Sequence, residues 1–236
     1  AQQIFAKCNL LVSYTADDKG YELASGLIGK LTDTLSSQEL TSVRRELKLN
    51  RTRLALKTSG QVNFVCRVGD YAKRGLSYNG ALRILSSMMN SDYLWINIRV
   101  KGGAYGCGAS FGAYTSSLGA FTSYRDPNLE KTNEIYEKAP EYVRSFEADE
   151  REMTKYVIGT ISNLDIPKNP SAKGAASFDA YVSGLTEEML RATPDDIRAL
   201  ADIVEAVLED GYFCVVGNED KINEAKDMFD VIEPLA

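Results

Sequence analysis

The sequence predicts an α+β fold: a mixed, mostly antiparallel β-sheet with helices packed on one face. Three observations carry this expectation. Short β-forming runs recur early and late, at Asn9–Ala16, Arg53–Arg67, Tyr105–Tyr124 and Tyr212–Gly217. Helical patterns mark Tyr21–Leu35 and Tyr78–Met89 and dominate from Asp126 to Leu208. The resulting order of strand, helix, strands, helix, strands, several helices, strand and helix lacks the regular alternation of a parallel α/β sheet.

Asn9 to Ala16 (NLLVSYTA) reads as a first strand, bounded by Asp17-Asp18. From Tyr21 to Leu35, Leu23, Leu27, Leu31 and Leu35 recur at helical spacing and define one apolar face. Residues 36–52 are polar and lack a period. Arg53 to Thr58 and Gln61 to Arg67 read as two strands joined by a Ser59-Gly60 turn. Tyr78 to Met89 carries Leu82, Ile84, Leu85, Met88 and Met89, a buried helix whose methionines fill core. Tyr105 to Ala113 and Leu118 to Tyr124 predict a hairpin around Thr115-Ser116-Ser117. Asp126-Pro127 reads as a helix start, with the aspartate as cap and proline at the first helical position. Thr193-Pro194-Asp195-Asp196 repeats that logic. Tyr212 to Gly217 (YFCVVG) is a last buried strand, and Asn218 caps a short helix. Proline, glycine and serine collect only at Asn163 to Ser171, read as a helix-to-helix loop. With no internal repeat, residues 1–236 are expected to form a single domain.

The net charge of −6 and the scattering of basic residues argue against nucleic acid as a partner. The densest basic patch, Lys48 to Arg53, reads as a solvated face, and Asn50-Arg51-Thr52 is only a formal glycosylation acceptor. No apolar run approaches the ~20 residues of a membrane span, so no membrane partner is expected. Cys8, Cys66, Cys107 and Cys214 form no Cys-x-x-Cys and read as buried thiols in strands, which fits a reducing, cytoplasmic setting. The chain opens on Ala1-Gln2-Gln3 and reads as an excised fragment.

There is no histidine, which removes the commonest general base and the commonest zinc ligand. Gly108-Ala109-Ser110-Phe111-Gly112 spells the G-x-S-x-G of a nucleophile elbow, but no histidine can take the serine proton and the segment runs from strand towards strand. Gly102, Gly103, Gly106 and Gly108 fit no phosphate-binding spacing; a tight turn and close strand packing explain them better. The most informative stretch is Arg99-Val-Lys-Gly-Gly-Ala-Tyr-Gly106, which follows the aromatic-rich Tyr93–Ile98. Arg99 brings a permanent planar cation and Tyr105 a phenol that donates one hydrogen bond. The pair suits gripping a peptide carbonyl or steadying an oxyanion. The plainer alternative is a surface arginine beside a half-buried strand tyrosine.

From Tyr93 to Leu129 the chain, with LWINIRVKGGAYGCGASF followed by GAFTSYRDPNL, resembles the pitrilysin/insulinase family of zinc metallopeptidases, nearest the presequence-protease type. The strand–helix opening and the closing YFCVVG strand and helix extend the resemblance over nearly the whole chain. The resemblance implies a metallohydrolase-like α+β domain and, by position, Arg99 and Tyr105 as catalytic and substrate-binding residues. It also implies zinc in the full-length enzyme, held by an N-terminal half through an inverted His-x-x-Glu-His motif and a distal glutamate, with no metal in this chain. The implied partners are that N-terminal catalytic half of the same polypeptide and an unfolded peptide substrate. This chain would then be a C-terminal domain without activity of its own. The alternative is a non-catalytic peptidase homologue acting as scaffold or peptide-binding subunit.

Overall fold

The computed structural model describes residues 5–38, 53–112, 116–164, 167–183 and 191–235. These fall into two compact units, one drawn from 1–49 and 166–184, the other from 50–165 and 185–236. The basic stretch 48–52, the glycosylation triplet and Thr115 lie outside the described residues.

In the first unit, helix α1 (Asp18–Thr34) starts three residues earlier than the leucine spacing suggests. Asp17 caps it, its carboxylate accepting from the Gly20 N–H at 2.8 Å. The leucine face is present but open to solvent, Leu23 being 73% exposed. The expected strand at Asn9–Ala16 is not formed. A 3₁₀ turn covers Lys7–Asn9, the following residues join no sheet, and Leu11 and Val12 are exposed. β-branched composition specifies a strand only where a neighbour supplies pairing and burial. Helix α6 (Pro170–Ser183) completes the unit's regular structure.

The second unit holds a six-stranded mixed sheet in the order β3-β4-β2-β5-β1-β6. The strands are β1 (Arg53–Thr58), β2 (Asn63–Asp70), β3 (Gly106–Phe111), β4 (Leu118–Asp126), β5 (Tyr212–Asn218) and β6 (Val231–Pro234). The β3–β4, β4–β2 and β2–β5 pairs are antiparallel; β5–β1 and β1–β6 are parallel. β1 and β2 therefore do not pair across their turn, because β5 lies between them. Its continuous apolar run suits an interior strand.

Residues of β2 alternate: Asn63, Val65, Arg67 and Gly69 are buried, while Phe64, Cys66, Val68 and Asp70 point to the opposite, more open face. The helices of this unit, α2 (Ala81–Met88), α3 (Leu129–Glu137), α4 (Ala139–Arg144), α5 (Glu150–Leu164), α7 (Pro194–Ala199), α8 (Ala201–Glu209) and α9 (Glu219–Glu224), supply the other layer. Leu82, Ile84, Leu85, Met88 and Met89 are fully buried, as the spacing predicts. Helix α8 presses close to the sheet: a Cβ at Gly69 would meet the Val207 carbonyl at 2.1 Å, and one at Gly119 the Val207 side chain at 2.3 Å. Thr193 and Asp196 form the expected capping box of α7, and Asn218 caps α9 by accepting from the Lys221 N–H at 2.9 Å.

Two further expectations change. Asp126 does not cap α3. It is the last residue of β4 and fully buried, accepting from the Asn128 N–H at 2.8 Å and the Thr132 hydroxyl at 2.6 Å. Its short side chain spans the strand-to-helix turn from inside, so the helix starts two residues later, after Asn128. Cys66, Cys107 and Cys214 lie half-buried in strands, but Cys8 is exposed in its 3₁₀ turn.

Candidate functional site

Beyond α2 the chain stays helical but widens. Met89–Tyr93 and Trp95–Val100 follow π-helical geometry, with Lys101 donating to the Ile96 carbonyl at 3.0 Å, five residues back. Asn90, on the first π turn, brackets the outer edge of β3. Its amide donates to the Ala109 carbonyl at 3.0 Å and accepts from the Ala109 N–H at 2.6 Å, occupying groups that an edge strand leaves unpaired.

The helix ends in a tight reversal. Ala104 N–H reaches back to the Ile98 carbonyl at 3.1 Å and Gly103 N–H to Arg99 at 3.0 Å. A Cβ at Gly102 would stand 2.5 Å from the Ile98 carbonyl oxygen, and Gly103 has φ +79°. Both glycines are therefore demanded by backbone geometry. Asn128 ties the reversal to the start of α3 through a bond from its amide to the Gly102 carbonyl.

This reversal brings Arg99 and Tyr105 together. Arg99 Nη1 donates to the Tyr105 carbonyl at 2.9 Å and to the Ala104 carbonyl at 3.3 Å. Its guanidinium carbon lies 4.6 Å from the Trp95 ring centroid and 5.7 Å from that of Tyr105. Tyr105 stands just before β3, its N–H donating to the Tyr124 carbonyl at 3.1 Å, while its ring is 68% exposed. The reading of Tyr105 as a half-buried strand tyrosine does not hold, and among the described residues its hydroxyl has no partner. Nearby, burial pushes the Cys107 thiol up, with Asp126 adding in the same sense and Arg99 opposing. Ser110 lies within β3 rather than on a strand-to-helix turn.

Two residues of this surface escaped the sequence reading. Tyr124 packs edge-on against Tyr105 at 5.8 Å, and Phe64 edge-on against Tyr124 at 5.2 Å. Tyr124 was visible only as part of a motif, and Phe64 lies far from it in sequence, on β2. Only the β2–β4 pairing joins them.

The chain contains no histidine, and among the described residues no group of three His, Cys, Asp or Glu side chains could hold a metal ion. The described residues do not fit a catalytic zinc site.

The second unit is an α+β domain whose surface presents the Arg99 guanidinium beside the Tyr105 phenol. Comparison with known proteins supplies the family. The family described as the PreP C-terminal domain matches residues 53–219, and the chain belongs to that family. It is 38% identical to Protein HypA of Clostridium perfringens over 98% of this chain and 24% of that protein. It is 30% identical to presequence protease 1, chloroplastic/mitochondrial, of Arabidopsis thaliana over 99% of this chain and 23% of that one. The crystal structure of the periplasmic protease PqqL from Escherichia coli shares the fold, with a TM-score of 0.57 at 15% identity, covering 85% of this chain and 24% of the other. The chain thus spans about a quarter of the length of these curated relatives. No helix among the described residues is long and apolar enough to cross a membrane.

Proposed function

We propose that this chain works as the C-terminal, metal-free domain of a zinc-dependent endopeptidase that degrades unfolded peptides. In this reading Arg99 and Tyr105 are its contribution to the reacting centre. As a nucleophile adds to the scissile carbonyl, its oxygen gains negative charge. Tyr105 Oη donates a hydrogen bond to that oxygen, and Arg99 counters the charge and holds a neighbouring peptide carbonyl. The N-terminal half of the same polypeptide brings the nucleophile, the general base and the zinc, so the pair acts only when that half closes on it.

The observation that supports this reading most is the exposed Tyr105 phenol, free of any partner among the described residues, held beside a guanidinium whose Nη1 is anchored to the carbonyls of Ala104 and Tyr105. A structural tyrosine would bury its hydroxyl against a partner. The test is kinetic, in the longer polypeptide. Tyr105→Phe should lower kcat by ~10²–10³, the usual size for one oxyanion donor, with a smaller change in KM. Arg99→Ala should damage both parameters, because it also holds the ground-state peptide. Unchanged turnover in Tyr105→Phe removes the assignment.

A further inference from the structure

We infer that the exposed rings leading away from Arg99 and Tyr105 form a side-chain subsite, selecting an extended peptide in which a large apolar residue neighbours a carboxylate. The inference rests on the role proposed for that pair and extends it to specificity. Trp95, Arg99, Tyr105, Tyr124 and Phe64 make one unbroken ladder. Each member touches the next, at 4.6 and 5.7 Å for the two cation–ring contacts and 5.8 and 5.2 Å for the two edge-on ring pairs. The residues Trp95, Tyr105, Tyr124 and Phe64 are 44, 68, 49 and 41% exposed. Four exposed aromatic residues linked in series through these contacts are a patch of the kind that marks recognition.

Two observations name the occupant. Gly106 lies opposite Tyr124 in the β3–β4 register. A Cβ there would sit 3.8 Å from Tyr124 Cβ, an ordinary contact, so packing within the chain does not demand glycine, and its absence leaves the flank of the ladder open. An apolar side chain laid along that flank meets Tyr105 and Tyr124. Charge supplies the second observation. Arg99 and Lys101 stand at the end of the helix before the reversal, the Arg125 backbone carbonyl lies 3.4 Å from the Tyr105 N–H, and among the described residues none of the three side chains forms an ion pair, although the chain as a whole carries −6. Lys101 reaches only the Asn97 amide, at 3.4 Å. A carboxylate beside the apolar residue meets these cations.

Trp95 is the chain's sole tryptophan, so its emission reports on the ladder directly. The chain is titrated with four blocked hexapeptides that differ only at two central positions: Phe-Asp, Phe-Lys, Ala-Asp and Ala-Lys. Phe-Asp should bind ~10-fold more tightly than Ala-Asp, the worth of one buried ring. It should also bind more tightly than Phe-Lys, by a margin that shrinks with salt. Phe64→Ala, which empties the ladder's end, and Gly106→Val, which fills its flank, should each reduce the preference for phenylalanine; Phe64 is exposed enough for its variant to fold. Both preferences are required. Equal binding of all four peptides, loss of either preference in the parent chain, no saturable response into the millimolar range, or variants that discriminate as the parent does would each overturn the inference. Tyr105→Phe keeps the ring and should keep the discrimination. Intact discrimination with normal kcat in that variant withdraws the oxyanion role alone, whereas lowered kcat without discrimination withdraws the subsite alone.

Discussion

Gly103 sets the geometry on which the candidate site depends. At φ +79° an L side chain is strained, by roughly 1–2 kcal/mol, and a β-branched one more. Gly103→Val should therefore lower the melting temperature and displace Tyr105 from Arg99. Gly103→Asn, whose side chain tolerates the left-handed region, should lower it less. Equal melting for both variants and the parent would show that the reversal does not need this conformation. Tyr93 offers a pH test nearby. Its phenol donates to the Ile135 carbonyl at 2.7 Å and stacks on Tyr142 at 4.4 Å. Burial first, then Tyr142 and Glu141, push it from 10 up to about 12. The unfolded phenol thus ionises before the folded one, so its contribution is complete below pH 10 and is lost as pH rises towards 12. Melting curves of Tyr93→Phe should start lower at neutral pH, for want of one hydrogen bond, and fall less steeply across that window. Parallel curves for parent and variant would contradict the assignment.

Among the elements, β3 lies at one edge of the sheet, and Asn90 covers its outer groups at Ala109. Asn90→Ala should cost ~1–3 kcal/mol by leaving both groups unpaired. Hydrogen exchange at the Ala109 amide should quicken more than at β2 amides; uniform exchange would mean the clamp is incidental. That clamp was not legible in the sequence, because nothing local marks an asparagine in a π turn as a strand's neighbour. Helix α2 was legible, since Leu82, Leu85 and Met89 recur with helical spacing and all end in the core. The β3–β4 hairpin and β5 were legible for the same kind of reason. The strand expected at Asn9–Ala16 is absent because β-forming composition makes a strand only beside a pairing partner, and among the described residues this segment joins no sheet. The place of β5 between β1 and β2 failed differently: chain order suggests that neighbours pair, and only the unbroken apolar run of YFCVVG could have argued otherwise. Of the site, Arg99 and Tyr105 stood in one motif, six residues apart, and the tight reversal explains why that spacing brings them together.

For the whole molecule, the central claim is that these residues complete a site whose nucleophile and metal lie elsewhere in a longer polypeptide. The absence of histidine motivates the expectation that the purified chain binds no stoichiometric zinc and cleaves no peptide; one tightly bound zinc per chain on metal analysis would contradict it. Family membership over residues 53–219, with the chain spanning about a quarter of its relatives, supports the division of labour. The most direct measurement is complementation. The preceding part of the polypeptide, produced separately, is assayed for cleavage of an unfolded peptide alone, with this chain added, and with its Tyr105→Phe variant added. The account predicts little cleavage alone, recovery with the parent chain, and recovery lower by ~10²–10³ with the variant despite an unchanged melting temperature. Equal recovery with both chains, or cleavage by this chain on its own, would contradict it.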